Sequence, residues 1–588
     1  MSKQIKKFLS GDEAVAQGAW EAGCHVAAAY PGTPSTEILE AFVTYPDIYC
    51  EWSTNEKVAY EVALGASMAG ARALYTSKHV GLNVAADPFF SSAYIGSHGG
   101  LVVITADDPS MHSSQNEQDN RYYGIAAKVP VLCPSDSQEC KDFTKLAFDI
   151  SERFNIPVIV RLTTRTSHAN GVVLCNERQT LPIKGYEKKI EKNLILPVFA
   201  RKLHASLEER MLALRDFSET TNINQIKEGK EAVGVISDGV AYTYAKEAYP
   251  EAWHLKLGMS HPLPEKLVRE LASKVGKIFI VEENDPIIET AIKAMGIDCI
   301  GKEKVPRVLE LNPDKLRNAF FDKKIQQVDV GDVPGRPPAL CPGCTHRPVF
   351  SILAHLKPII TGDIGCYTLG AFPPLNAMDT CVDMGASITV AHGIRKALDR
   401  IDDEKQKAKK VVAVIGDSTF FHSGLTGLAN VVYNNSPITV VIMDNRITAM
   451  TGHQHHPGTG KTLMGEVANE ADPAEIAKAL GVKFVKVVDP YDYAATKEVL
   501  TEAINLDEPA VVITKRACPL YDRSQWKKPY WINEDECVGC KVCVRLGCPA
   551  ISFKSKEKKA YITPVLCTGC SICAQVCPKG AIHAAEDN

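Results

Sequence analysis

Two cysteine runs near the C-terminus constrain this chain more than any other feature: Cys537-x2-Cys540-x2-Cys543-x4-Cys548-Pro549 and Cys567-x2-Cys570-x2-Cys573-x3-Cys577-Pro578. Thiolates two residues apart wrap three corners of one iron–sulfur cubane, and a fourth cysteine further along the turn reaches the neighbouring cluster. The spacing therefore predicts one [4Fe-4S] cluster on Cys537, Cys540, Cys543 and Cys577, and a second on Cys548, Cys567, Cys570 and Cys573. Only the first run departs from the common pattern, by one extra residue before its last cysteine. Disulfides suit secreted chains, and zinc favours paired CxxC knuckles without a closing Cys-Pro. A segment of about 55 residues is too small to bury a large core, so the clusters would supply much of its stability.

The rest of the chain is of another kind. Its 588 residues predict about four domains at ~150 residues each. A net charge of −4 gives no electrostatic footprint for nucleic acid. There is no run of 18 apolar residues for a membrane span, and the polar start MSKQIKKFLSGDEA does not read as a secretory signal, so a cytoplasmic location is expected. Short Val/Ile runs ending in Gly, Asp or Asn recur around Val26, Ile104, Val158 and Ile280, then in KPIITGDIGC, KKVVAVIGDS, PITVVIMDN and PAVVITKRAC. Buried parallel strands with function at their C-terminal ends read this way, so the class is α/β with several doubly wound parallel sheets. The Lys/Glu-rich region from Glu187 to Lys230 carries no strand signal and predicts one helix around Leu207 to Phe217. The Pro-rich stretch from Val330 to Gly343 reads as a linker. The tail resembles an ordinary two-cluster ferredoxin domain of α+β type. The expected domains are 1–190, 191–330, 331–525 and 526–588.

Gly416-Asp417-Ser418 closes the strand-like VVAVI, and Asn445 follows 28 residues after Asp417. This resembles the GDG…N motif that anchors thiamine diphosphate through magnesium, with Ser418 in place of the last glycine. Mg²⁺ takes hard oxygen ligands; Asp417 offers a carboxylate, Asn445 an amide oxygen and Ile447 a backbone carbonyl. Thr361 to Cys366, with Gly365 and Cys366 at its end, sits where such proteins place a glycine turn against the cofactor. Glu56, opening a small-residue helix, resembles the catalytic glutamate that exchanges a proton with the cofactor's aminopyrimidine ring; Glu61 is the alternative. Tyr30-Pro31-Gly32-Thr33-Pro34-Ser35 is similar to a substrate-side loop.

The order of these parts resembles the 2-oxoacid:ferredoxin oxidoreductases over nearly the whole chain, and within them the large subunits of the indolepyruvate branch. The segment from Leu257 to Glu283 is similar to a transketolase C-terminal type domain. The polar run Asp107 to Arg121 follows a strand-like LVVITA, and the resemblance places it at the substrate. It implies catalytic roles for Glu56 and Thr33, with His112 and Arg121 holding the substrate carboxylate or polarising the keto group. Family members also hold a cofactor-proximal cluster with the layout CPGC, a cysteine after a glycine turn, and a distant Cys-Pro. This implies a third [4Fe-4S] cluster on Cys341, Cys344, Cys366 and Cys518. The implied reaction is oxidative decarboxylation of arylpyruvates, indole-3-pyruvate preferred, to the aryl-acetyl-CoA and CO2. Coenzyme A and ferredoxin act as acceptors, and a smaller beta subunit completes an (αβ)2 assembly. Alternatives are a non-oxidative thiamine-dependent decarboxylase, an oxidoreductase preferring another 2-oxoacid such as pyruvate, and an electron-transfer subunit with a degenerate thiamine fold. The histidines of the run from His453 to His456 have poor ligand spacing for zinc and read as part of a cofactor-covering loop, Thr451 to Gly460. Cys24, Cys50, Cys133, Cys140, Cys175, Cys299 and Cys381 have no pattern and are expected to be buried thiols.

Overall fold

A computed structural model describes residues 5–323, 331–335 and 337–585. The chain divides into two compact units, Met1–Val330 and Gly331–Asn588.

The first unit is built on a seven-stranded sheet. Its spatial order is Met259–His261, Val131–Leu132, Val158–Thr163, Leu101–Asp107, Ala73–Lys78, Val26–Ala29 and Tyr49–Trp52. All neighbours are parallel except the edge strand Met259–His261. Leu101–Asp107 and Val158–Thr163 are buried along their whole length, which is why they read as continuous apolar runs rather than alternating ones. The edge strand comes from the stretch expected to form the second domain, so the two expected N-terminal domains share a sheet. A second sheet, ordered Lys277–Val281, Val233–Asp238, Trp253–Leu257 and Asn224–Lys227, and an antiparallel pair, Ile5–Ser10 with Asn170–Cys175, complete the unit.

Two sequence expectations are corrected here. The Lys/Glu-rich region does contain a strand, Asn224–Lys227, which pairs antiparallel at a sheet edge. Edge pairing needs only one covered face, so the strand leaves no long apolar run. The helix extends over Pro197–Thr220, well beyond Leu207 to Phe217, and buries only Leu207, Met211, Leu214 and Ser218. Its first ten residues bury no side chain, so the helix period is visible only from Leu207 onward.

The second unit holds a six-stranded parallel sheet, ordered Thr380–Cys381, Ile359–Gly362, Val411–Gly416, Thr439–Asp444, Ala510–Lys515 and Phe484–Val488. The tail adds two antiparallel ribbons, Tyr530–Ile532 with Ile582–Ala584 and Ile551–Lys554 with Lys559–Ile562. Its small core is made largely of Cys543, Leu546, Ala560, Ile562, Ile572 and Cys573. Of the expected linker, Val330 and Arg336 lie outside the described residues. Positions 331–335 are exposed, but from Leu340 onward the chain packs into this unit.

Candidate functional site

In the first unit, Glu56 opens the helix Glu56–Met68, capped by the Asn55 side chain, which accepts from Val58 N at 2.9 Å. A helix-start glutamate normally sits in solvent, favoured by the dipole. Glu56 is instead buried at 6% exposure. Gly81 lies against it: a Cβ added there would stand 2.7 Å from Glu56 Cγ. Glu61, by contrast, is exposed and ion-paired with Lys57. Thr33 is half-buried, and its carbonyl accepts from Ser113 Oγ at 3.3 Å. This joins the substrate-side loop to the polar run Asp107 to Arg121.

The polar run is organised from within. Asp108 accepts from His112 N at 3.2 Å, Ser113 N at 2.8 Å, Ser114 Oγ at 2.6 Å and Thr164 Oγ1 at 2.7 Å. Burial opposes its charge, but these donors and the Lys78 charge hold its carboxyl below the usual range. Ser110 and Met111 take left-handed backbone, φ 74° and 52°, as the chain turns over this carboxylate. His112 is half-exposed, with Nε2 3.3 Å from Glu310 Oε2.

Arg121 does not do what the sequence suggested. It is fully buried, and its guanidinium is saturated by protein. Nε and Nη2 fork onto Asp119 at 2.9 and 2.6 Å, and Nη1 donates to Glu282 at 2.7 Å and Asp238 at 3.2 Å. Nη2 also donates to the carbonyls of Glu283 and Asp285, each at 3.0 Å. Alongside, Arg161 Nε donates to Asp107 at 2.6 Å. Arg121 is thus the centre of an ionic knot tying the first sheet to the ends of Val233–Asp238 and Lys277–Val281, and no donor remains for a substrate.

In the second unit, Val411–Gly416 and Thr439–Asp444 are adjacent parallel strands. Their C-terminal ends set Asp417 and Asn445 side by side, both buried, with Ile447 just beyond. Asp417 Oδ1 accepts from Ser418 N at 2.9 Å, and Oδ2 lies 3.1 Å from His456 Nε2. Asp444 was missed in the sequence. Burial first, then the Asp417 charge beside it, push its carboxyl up to about 7. Two crowded buried carboxylates with an amide oxygen beside them are a donor set that suits a hard divalent cation, whose charge would relieve the crowding. His346 also escaped the sequence reading; its Nε2 is 3.4 Å from Asn445 Nδ2, and burial lowers it to about 4. The three histidines of the covering loop go separate ways: His453 stacks on Tyr521, His455 lies 3.0 Å from Thr459 Oγ1, and His456 faces Asp417. Among the described residues no metal-type grouping forms there.

The tail cysteines gather into two groups. One cavity is lined by Cys537, Cys540, Cys543 and Cys577. Another is lined by Cys548, Cys567, Cys570 and Cys573. The fourth cysteine of each run has crossed to the other run's site. Cys341, Cys344, Cys366 and Cys518 also converge. Burial first, then the charges of Cys518 and Cys341, push Cys366 up to about 11. Cys344, deeper still, rises to about 12, again with Cys366 and Cys341 adding to burial. Thiols that hinder one another's ionisation suit a cluster whose iron carries the positive charge. Cys344 also lines the second tail cavity. Arg347 pins this join, donating to the carbonyls of Leu546 at 2.8 Å and Cys341 at 3.0 Å. Of the patternless cysteines, five are buried, but Cys299 is only partly so and Cys381 is exposed. Cys381 ends a two-residue edge strand, which covers little.

Parallel sheets carrying these carboxylate and cysteine sites define a thiamine-diphosphate-dependent oxidoreductase with iron–sulfur centres. Comparison with known proteins agrees. Residues 17–224 match "Pyruvate flavodoxin/ferredoxin oxidoreductase, thiamine diP-bdg", residues 363–514 match "Thiamine pyrophosphate enzyme, C-terminal TPP binding domain", and residues 527–581 match "4Fe-4S dicluster domain". The indolepyruvate oxidoreductase subunit IorA of Archaeoglobus fulgidus is 43% identical, over 92% of this chain and 91% of its own length. That of Pyrococcus horikoshii is also 43% identical, over 99% and 97%. The 2-oxoglutarate synthase subunit KorA of Archaeoglobus fulgidus is 28% identical over 47% of this chain and 88% of its own. The chain belongs to the IorA subunits of the 2-oxoacid:ferredoxin oxidoreductase family. Among the described residues no helix is long and apolar enough to cross a membrane.

Proposed function

We propose that the chain oxidatively decarboxylates arylpyruvates, indole-3-pyruvate before others. Each 2-oxoacid and coenzyme A become the aryl-acetyl-CoA and CO2, and two electrons pass singly to ferredoxin. A smaller beta subunit completes an (αβ)2 enzyme in the cytoplasm. The observation that carries this reading is the double position of Cys344, in the four-thiol group near Asp417 and in the wall of the tail cavity. A decarboxylase that keeps its electrons has no use for such a line of sites.

In this reading Asp417, Asn445 and the Ile447 carbonyl hold Mg²⁺, and Gly365, Gly416 and Ser418 border the diphosphate. Thiamine diphosphate, when bound, supplies the electron sink for loss of CO2. Glu56 keeps a carboxyl proton away from water, ready for exchange with the cofactor's ring. Thr33 and His112 border the substrate. Cys341, Cys344, Cys366 and Cys518 hold a third [4Fe-4S] cluster, from which electrons leave toward the tail. The substrate preference is supported by the naming of the relatives.

The test is anaerobic dye reduction by the chain with its partner subunit, given indole-3-pyruvate, phenylpyruvate or pyruvate, with and without coenzyme A. Reduction fastest with arylpyruvates and dependent on coenzyme A is expected. Aldehyde without dye reduction would make it a plain decarboxylase; faster reduction with pyruvate would overturn the substrate.

A further inference from the structure

With Arg121 locked in its knot, the first unit needs another group to meet an acidic substrate, and one is present. Lys78 ends the strand Ala73–Lys78, beside Ala106 of the neighbouring strand, where the polar run begins. Its stem lies under the substrate-side loop: a Cβ on Gly32 would stand 3.3 Å from Lys78 Cβ. Its Nζ donates to the carbonyl of Ser113 at 2.6 Å, and Ser113 in turn contacts Thr33. Glu56 and Asp108 are the two carboxylates whose charge reaches it. Neither forms an ion pair with it among the described residues; Asp108 spends its oxygens on its own loop and on Thr164.

A half-buried ammonium with three donors, one in use, and no carboxylate within ion-pair distance is an uncommon arrangement. Burial alone pulls it down to about 8, with Asp108 and Glu56 opposing. An incoming anion would supply what the protein withholds. Ser113, which itself contacts Thr33, and Glu56 are among the groups around the ammonium.

We propose that Lys78 Nζ receives the carboxylate of the 2-oxoacid substrate, the role the sequence suggested for Arg121. The assignment rests on the proposed reaction and on Glu56 marking its centre. It has a kinetic signature. The carboxylate leaves as neutral CO2, so its pairing with Lys78 is already made in the bound substrate and is weakened, not strengthened, as the CO2 departs. Its loss therefore falls on KM more than on kcat.

The test uses the holoenzyme with its partner subunit. Lys78→Met is expected to raise KM for the 2-oxoacid by about 10- to 100-fold, the worth of a charge-assisted hydrogen bond, with kcat changed far less. Lys78→Arg should recover most of the loss. The methyl ester of the 2-oxoacid cannot lose CO2 and serves as a competitive inhibitor: in wild type its Ki should exceed the KM of the free acid by a similar factor, and Lys78→Met should erase that preference for acid over ester in binding, which a merely structural lysine would not do. Iron content and thiamine diphosphate affinity should match wild type. An unchanged KM and intact preference for acid over ester in Lys78→Met would overturn the assignment. So would weakened cofactor binding with KM unaltered. If Lys78→Met does not fold, Lys78→Gln carries the same comparison. The proposed reaction fails separately: it falls if Glu56→Gln still turns over, whatever Lys78 does.

Discussion

The backbone N–H of Cys518 donates to the carbonyl of Asn445 at 2.9 Å. One hydrogen bond thus joins a member of the four-thiol group to a residue of the carboxylate site. Both sit at the ends of parallel strands, Asn445 after Thr439–Asp444 and Cys518 after Ala510–Lys515, which are neighbours in the sheet. The same strand ends that position the carboxylate site therefore position the four-thiol group.

If that group holds a cluster, anaerobically purified protein carries about twelve irons per chain, and Cys366→Ser about four fewer. Iron analysis checks both figures. Eight irons in wild type would leave the four thiols without a cluster.

Gly81 sets the position of Glu56. In Gly81→Ala the added methyl displaces Glu56 Cγ, only 2.7 Å away, and meets Ser77 Cβ at 2.8 Å. Misplacing a reacting group by such a step costs up to about 100-fold in rate, so kcat should fall by about 10- to 100-fold. Glu56→Gln should abolish turnover. Iron content, measured in parallel, should stay at the wild-type level in both.

Arg121→Met should destabilise rather than desensitise. Removing the cation strands the buried carboxylates of Asp119, Asp238 and Glu282, a loss of about 3–5 kcal/mol. Thermal unfolding should show it as a large fall in Tm, while enzyme still folded at low temperature keeps its KM. A raised KM at unchanged Tm would restore Arg121 to the substrate.

Glu283 gives a pH dependence. Burial pushes its carboxyl from 4.5 up to about 7, against opposition from the Leu311 N–H and Arg161. An acid raised on folding stabilises fully below its unfolded value, and that contribution is lost as pH rises through about 7. Glu283→Gln should thus be the more stable protein at pH 8, by up to about 3 kcal/mol, and gain little at pH 5. Denaturant midpoints at the two pH values decide it; an equal effect at both would contradict the sign.

Much of this was legible in the sequence, and the misses share a cause. The eight named strand runs are strands because buried parallel strands announce themselves as apolar blocks. The tail cysteines could be sorted across two runs because cluster geometry is local to a few residues. Asp417 and Asn445 are legible because each directly follows its strand. Arg121 was misread because its partners Asp238 and Glu282 are more than 100 residues away in sequence. Nothing local distinguishes a buried knot from a substrate clamp. Asp444 and His346 were missed for the same reason, since their meaning lies in neighbours brought by other strands. Lys78 was hidden by an ordinary setting: a lysine at a strand end usually faces water.

The most direct test of electron flow from substrate to clusters is rapid anaerobic mixing of the holoenzyme, partner subunit included, with indole-3-pyruvate and coenzyme A, with no external acceptor. The visible absorbance of the iron–sulfur centres is followed. The centres are expected to bleach within the first turnover, and Glu56→Gln is expected to abolish the bleaching. Release of CO2 and aldehyde while the centres stay oxidised would contradict it.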